Sequence, residues 1–312
     1  MKRQTHIDAL AGLMLLNMML GHCIQVAGCT KIPLYHWMNV LSFFMPWFFY
    51  KSGMFYKGRS CKEILWGGGK LIKPYIVWNI IGYVPFVLTL IARKDYVWYH
   101  YCLQPFKGIL LHGQYSGNSP LWFLPVLFLV QLCYAWIYQR RKLKYLMIPG
   151  VFAIGYFCWL IGFDTPRYIV STMTGLFYYS MGNLLSNVQY KKPVFIVSGA
   201  VYLAFIFTKI PFVDINMNTL GSGSYLLWPV FAISAIVFFN NIFLYLDKGL
   251  AKVKVLHHIG TYSMNYYVSH WVVILFGNLI FHYWLGFEGV ALLCGIVSIC
   301  VVTLPIINAK LK

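Results

Sequence analysis

Apolar runs of about 17 to 25 residues recur from one end of this chain to the other, and each is long enough for a helix to cross a hydrocarbon core of ~30 Å. They predict about ten spans, with approximate limits 9–27, 34–56, 71–92, 120–139, 145–163, 168–187, 194–210, 224–245, 262–285 and 289–308. The seventh is short, and the break between the fifth and sixth rests on Asp164, Pro166 and Arg167. Counts of about eight to eleven fit the same pattern. Composition agrees: 60% of the 312 residues are hydrophobic and 10% are charged, where a soluble domain carries about 25% charged residues. The connections are short and leave no separate globular segment. The expectation is an all-α polytopic membrane protein, a single integral domain over residues 1–312.

The net charge of +18 raises the question of a nucleic-acid partner. Membrane topology accounts for it instead. With a cytoplasmic N-terminus, 19 of the 25 Lys and Arg residues fall on the inner side, among them Lys2, Arg3, Lys51, Lys57, Arg140 and Lys310. Lys31, Arg93, Lys94, Lys107, Arg167 and Lys209 remain outside. This asymmetry follows the positive-inside rule and puts both termini in the cytoplasm. Inner cations orient the protein and meet anionic lipid, and some of them, Arg3 included, are candidates to bind an anionic cosubstrate.

The first span carries no small-residue cleavage pattern, so it is expected to stay as a signal anchor. Eight cysteines are scattered, mostly within spans, with no CxxC or Cys/His metal spacing; they read as small buried apolar side chains, with a Cys23–Cys29 bridge the less favoured alternative. The run Gly67-Gly68-Gly69-Lys70 lacks the spacing and the Ser or Thr of a phosphate loop and reads as a flexible connection.

His22 is an ionisable ring inside the first apolar run, preceded by Gly21. Polar rings are costly in hydrocarbon, so a functional role is the default, with a hydrogen bond to a neighbouring helix as the alternative. If the span enters the bilayer near Ala9, His22 lies about 20 Å along it, nearer the outer face. Ala11, Leu15, Met18, His22 and Gln25 share one helical face, a stripe that could line a cavity.

The opening KRQTHIDALAGLMLLNMMLGH places Ile7 and Asp8 at the start of this span and Gly21-His22 near its end. FFMPWFFYKSGMFY follows at 43–56, with Pro46, Ser52 and Gly53, then LIKPYIVW at 71–78, SPLWFLPVLF at 119–128 and IGTYSMNYYVSH at 259–270. In this order and spacing the segments resemble the membrane acyltransferase 3 family, and within it the branch similar to fucose 4-O-acetylases and other surface-sugar O-acetyltransferases. The resemblance implies a bacterial inner-membrane enzyme, with His22 as the presumed catalytic residue. It would move an acyl group from acetyl-CoA or another acyl-CoA to a hydroxyl of a cell-surface or lipid-linked glycan, without a metal, alongside glycan-assembly proteins. One position departs: the family's basic residue falls at position 11, which here is Ala11. Lys51, about five residues from the inner end of the second span, lies at a comparable depth and is the candidate replacement; the alternative is a lysine snorkelling to the headgroups.

Acyl transfer to a hydroxyl wants a base near neutral pKa, and His22 suits that role, with a covalent acyl-imidazole as the other route. Asp8 lies about 21 Å away along the helix and cannot be its partner; it is expected to cap the helix start or pair with a nearby cation. The partner that orients His22 is expected from another span. Asn79, Trp122 and Tyr75 are candidate oxyanion donors, or interfacial residues. His270, about eight residues into the ninth span, either binds the donor or tunes the site, or hydrogen-bonds between helices. His112 lies in the longest outer loop, with Gln114, Tyr115, Ser116 and Asn118; that loop either receives a carbohydrate or is simply solvated. Two other classes stay open: a non-catalytic acyltransferase-like assembly or sensor protein, and a glycan transporter or flippase. No internal repeat supports the second.

Overall fold

The computed structural model describes residues 4–140, 144–163, 166–208, 227–250 and 252–311. Arg3, Asp164 and Lys209, which the sequence reading used, lie outside them. Every regular element among the described residues is helical. In chain order these are α1 (Thr5–Val26), α2 (Pro33–Met38), α3 (Phe44–Met54), α4 (Cys61–Gly67), α5 (Gly69–Ala92), α6 (Trp98–His112), α7 (Phe123–Tyr138) and α8 (Lys144–Leu160). They continue as α9 (Arg167–Leu185), α10 (Lys192–Phe207), α11 (Leu227–Tyr245), α12 (Asp247–Leu250), α13 (Lys254–Thr261), α14 (Ser263–Asn278) and α15 (Gly289–Lys310). A π-helical stretch, Leu279–Trp284, prolongs α14, and short 3-10 segments occupy Asn39–Leu41 and Ser116–Trp122.

Six helical stretches among the described residues are long and apolar enough to cross a membrane: Thr5–Val26, Cys61–Ala92, Trp98–Tyr138, Leu227–Tyr245, Ser263–Trp284 and Gly289–Lys310. Pro149–Cys158 and Lys192–Phe207 are apolar but shorter. The expected second span is broken. Residues 34–56 form α2, a 3-10 turn and the 11-residue α3, because Pro46 has no N–H to give to a preceding turn and is tolerated only near a helix start, where it sits in α3. The expected outer loop before residue 119 contains α6, a 15-residue helix closed by Gly113 in the left-handed conformation. Its entry corner is held by Asp95, which accepts from His100 Nδ1 (2.7 Å) and the Val97 N–H (3.2 Å); the His100 contact foremost keeps this carboxyl below its ordinary range.

Two close helix approaches organise the interior. A Cβ on Gly12 of α1 would collide with the Leu256 carbonyl of α13, and one on Gly260 of α13 would collide with the Asp8 carbonyl. The same reciprocity joins α3 to α9, where Gly53 meets the Tyr179 carbonyl and Gly182 meets that of Tyr50. Without a hydrophobic force between helices in lipid, such small residues let dispersion between backbones do the work. Between α3, α11 and the turn after α9 lies a polar cluster: Trp47 Nε1 donates to Asn240 Oδ1 (2.9 Å), and Asn240 Nδ2 and Tyr50 Oη both donate to Gln189 Oε1 (2.9 and 3.2 Å). Asp8 is not the cap of α1. The helix begins at Thr5 with Gln4 at its cap, and Asp8 sits in the first turn, where its charge suits the helix dipole. All eight cysteines are free thiols, so Cys23 and Cys29 are not bridged.

Candidate functional site

α1 and α14 pack side by side and bring together the two histidines that the sequence singled out. The His22 and His270 rings stack with centroids 5.5 Å apart at 23°, and Trp271 meets His22 edge-on at 5.1 Å. Residues 267, 270 and 271 fall on one face of α14 because they are three and four apart.

Each imidazole is oriented through Nδ1. His22 Nδ1 lies 3.3 Å from Gln25 Oε1, and Gln25 Nε2 donates to Tyr35 Oη at 3.0 Å. Since the amide nitrogen is already the donor to Tyr35, Gln25 Oε1 accepts from His22 Nδ1–H, which leaves Nε2 as the basic nitrogen. The orienting partner therefore comes from one turn further along the same helix, not from another span. His270 repeats the arrangement: Nδ1 donates to the Tyr267 carbonyl (2.6 Å), and Nε2 is buried with no hydrogen-bond partner among the described residues. The His270 side chain is fully buried, while His22 is partly exposed. Of the two rings, His22 is the more accessible.

The 3-10 segment Ser116–Trp122 is strapped to this face of α14. Trp271 Nε1 donates to the Ser116 carbonyl (3.0 Å), Tyr267 Oη donates to the Pro120 carbonyl, and Asn118 Nδ2 reaches both the Val268 and Trp78 carbonyls (3.3 and 3.2 Å). Asn118 is fully buried and its Oδ1 has no partner among the described residues. Asn79 lies one position beyond Trp78 on α5, with Oδ1 likewise buried and unpartnered. Its Nδ2, however, donates to the Tyr75 carbonyl (2.9 Å), and Tyr75 Oη donates to the Gly113 carbonyl (3.0 Å). Two of the three expected oxyanion donors, Asn79 and Tyr75, are thus engaged within the protein. What Asn79 and Asn118 offer is acceptor oxygen, suited to a hydroxyl.

The remaining candidates are spread around this centre. Trp122 is buried and meets Phe123 edge-on, and His112 ends α6, partly exposed. Lys51 sits on α3 with Nζ 5.3 Å from the Trp47 ring centroid, a cation–π contact. Arg3 lies outside the described residues. Ala11 is fully buried. Tyr267, Trp271 and the role of Gln25 were missed from sequence; the signal for the first two was their spacing around His270.

No curated protein and no solved structure matches the chain. A family model described as an acyltransferase domain matches residues 5–307. That match takes in both histidines, the strapped 3-10 segment and nearly all the helical frame, and the chain belongs to this membrane acyltransferase family, acyltransferase 3.

Proposed function

We propose that this acyltransferase is an O-acyltransferase that moves an acyl group, acetyl in the simplest case, from acyl-CoA to a hydroxyl of a cell-surface or lipid-linked glycan in the bacterial inner membrane. The stacked His22–His270 pair is the observation that carries this reading. His22 Nε2 takes the proton of the acceptor hydroxyl as its oxygen attacks the thioester carbonyl. On collapse of the tetrahedral intermediate the imidazolium returns that proton to the leaving thiolate, so no net charge is left on the protein. Gln25 fixes the ring without adding a negative charge, while Asn79 and Asn118 present acceptor oxygens to hydroxyl groups of the acceptor. The cytoplasmic CoA moiety would meet Lys51 and Arg3 in place of a cation at position 11.

The buried Ala11 also favours a second reading, a non-catalytic acyltransferase-like assembly protein. One experiment separates the two. Proteoliposomes holding the purified protein are given labelled acetyl-CoA and candidate glycolipids. Label should pass to a glycolipid and the rate should fall by about 10²- to 10⁴-fold in His22→Ala, the range for loss of a general base. Acceptor binding without transfer in the wild type would sink the enzymatic reading, as would equal transfer by His22→Ala.

A further inference from the structure

A groove of about 950 Å³ runs along α1, between it and α2, α13, α14 and α15. It is at the upper end of the roughly 300–1,000 Å³ usual for small-molecule sites. Its walls are apolar: Leu13, Leu16 and Leu20 of α1 line it together with Val301 and Leu304 of α15. From Leu13 to Cys23 the groove follows ten residues of α1, about 15 Å, which is half of a ~30 Å hydrocarbon core and so the depth of one leaflet. Val301 and Leu34 on its rim are exposed, so it opens toward lipid.

One end is different. α13 crosses α1 at Gly12, and it places Lys254 and His258, one helical turn apart, on the lining of the groove. A relay sets the tautomer of His258: Asn265 Nδ2 donates to Asn308 Oδ1 (3.0 Å), so Asn308 Nδ2 is the group facing His258 Nε2 (3.0 Å). His258 Nε2 accepts, and Nδ1 carries a proton to donate. An ammonium and an imidazole N–H thus sit side by side, and no carboxylate lines the groove among the described residues.

We propose that this groove is a binding site for an anionic glycerophospholipid of the leaflet nearer the α1 N-terminus, with its phosphate on Lys254 and His258 and its chains along α1 and α15. The charge complementarity selects an anionic head, and the length fits chains that end at the bilayer midplane. This site is independent of the acyl-transfer reaction.

Native mass spectrometry of the purified full chain, with phosphatidylglycerol or phosphatidylcholine added, tests it. The wild type should retain one phosphatidylglycerol in preference to phosphatidylcholine. The Lys254→Gln/His258→Gln double variant should lose it by about tenfold or more, as loss of a charge-assisted hydrogen bond implies, and Lys252→Gln should not. Val301→Trp, which fills the tail end with both donors intact, should also lower retention. Unchanged retention in the double variant, equal loss in Lys252→Gln, equal retention of phosphatidylcholine, or preference for a polyprenyl phosphate would each overturn the proposal.

Discussion

At the residue scale, the two histidines differ less in chemistry than in access. Both hold Nδ1 in a hydrogen bond, but His22 is partly exposed and His270 is sealed, with Nε2 unpartnered beside the stacked ring. A buried acceptor without a donor is costly, so His270 Nε2 is the atom of the pair whose role a substitution tests most directly. Two substitutions separate orientation from contact. Gln25→Ala frees the His22 ring and should lower kcat about tenfold, the worth of one hydrogen bond, with little change in KM. His270→Phe preserves a stacked ring but removes Nε2, and should cost at least about 10²-fold if that nitrogen meets the reacting groups. Transfer rates from the proteoliposome assay, beside elution profiles that report folding, check both. An active His270→Phe would reduce His270 to packing. That His22 lies inside the first long helix was legible in the sequence, because an ionisable ring in an apolar run is conspicuous. Its partner was not: it was expected on another span, and it is a neutral amide three residues further along the same helix.

At the element scale, the reciprocal glycine contacts set where α1 meets α13 and where α3 meets α9, and these in turn fix the groove and the polar cluster. The obstacle to a side chain at Gly53 or Gly260 is backbone, which cannot swing aside as a rotamer can. Gly53→Val and Gly260→Val should therefore each destabilise by about 1–3 kcal/mol or more, the cost of overpacking. Gly69→Ala, where the added methyl meets open space, should be neutral or slightly stabilising. Thermal unfolding in detergent would show a lowered Tm for the first two only; an unchanged Tm for either valine variant would mean that the helices separate freely there. Long apolar runs made most helices readable, and α5, α7, α9, α10, α14 and α15 fall close to their expected limits. α6 was not readable that way. WYHYCLQPFKGILLH is too polar and too short to register as a span, and Pro105 argues against a helix interior, yet the segment is helical, with Pro105 its one buried residue and Trp98, Phe106 and Leu110 exposed.

At the scale of the whole molecule, His22 lies 17 residues beyond the first residue of α1, so about 25 Å separates it from the N-terminal end of that helix. The hydrogen bonds of Trp271 and Asn118 place the 3-10 segment after α6 at the same end. If the N-terminus is cytoplasmic, as the distribution of Lys and Arg implies, both the His22 end and α6 belong to the outer half, and the donor must extend across much of the bilayer to be used. Cys102, exposed on α6, reports on this arrangement directly. In a variant retaining only that thiol, a membrane-impermeant maleimide applied to intact cells should label Cys102. A thiol introduced near the other end of the chain by Lys310→Cys, in a protein otherwise free of cysteine, should react only after permeabilisation. Labelling of both in intact cells would put the C-terminus outside and leave the helices making an odd number of crossings from a cytoplasmic start. The reverse pattern would invert the protein, bring His22 toward the cytoplasmic face and let the acyl donor reach it without crossing the membrane.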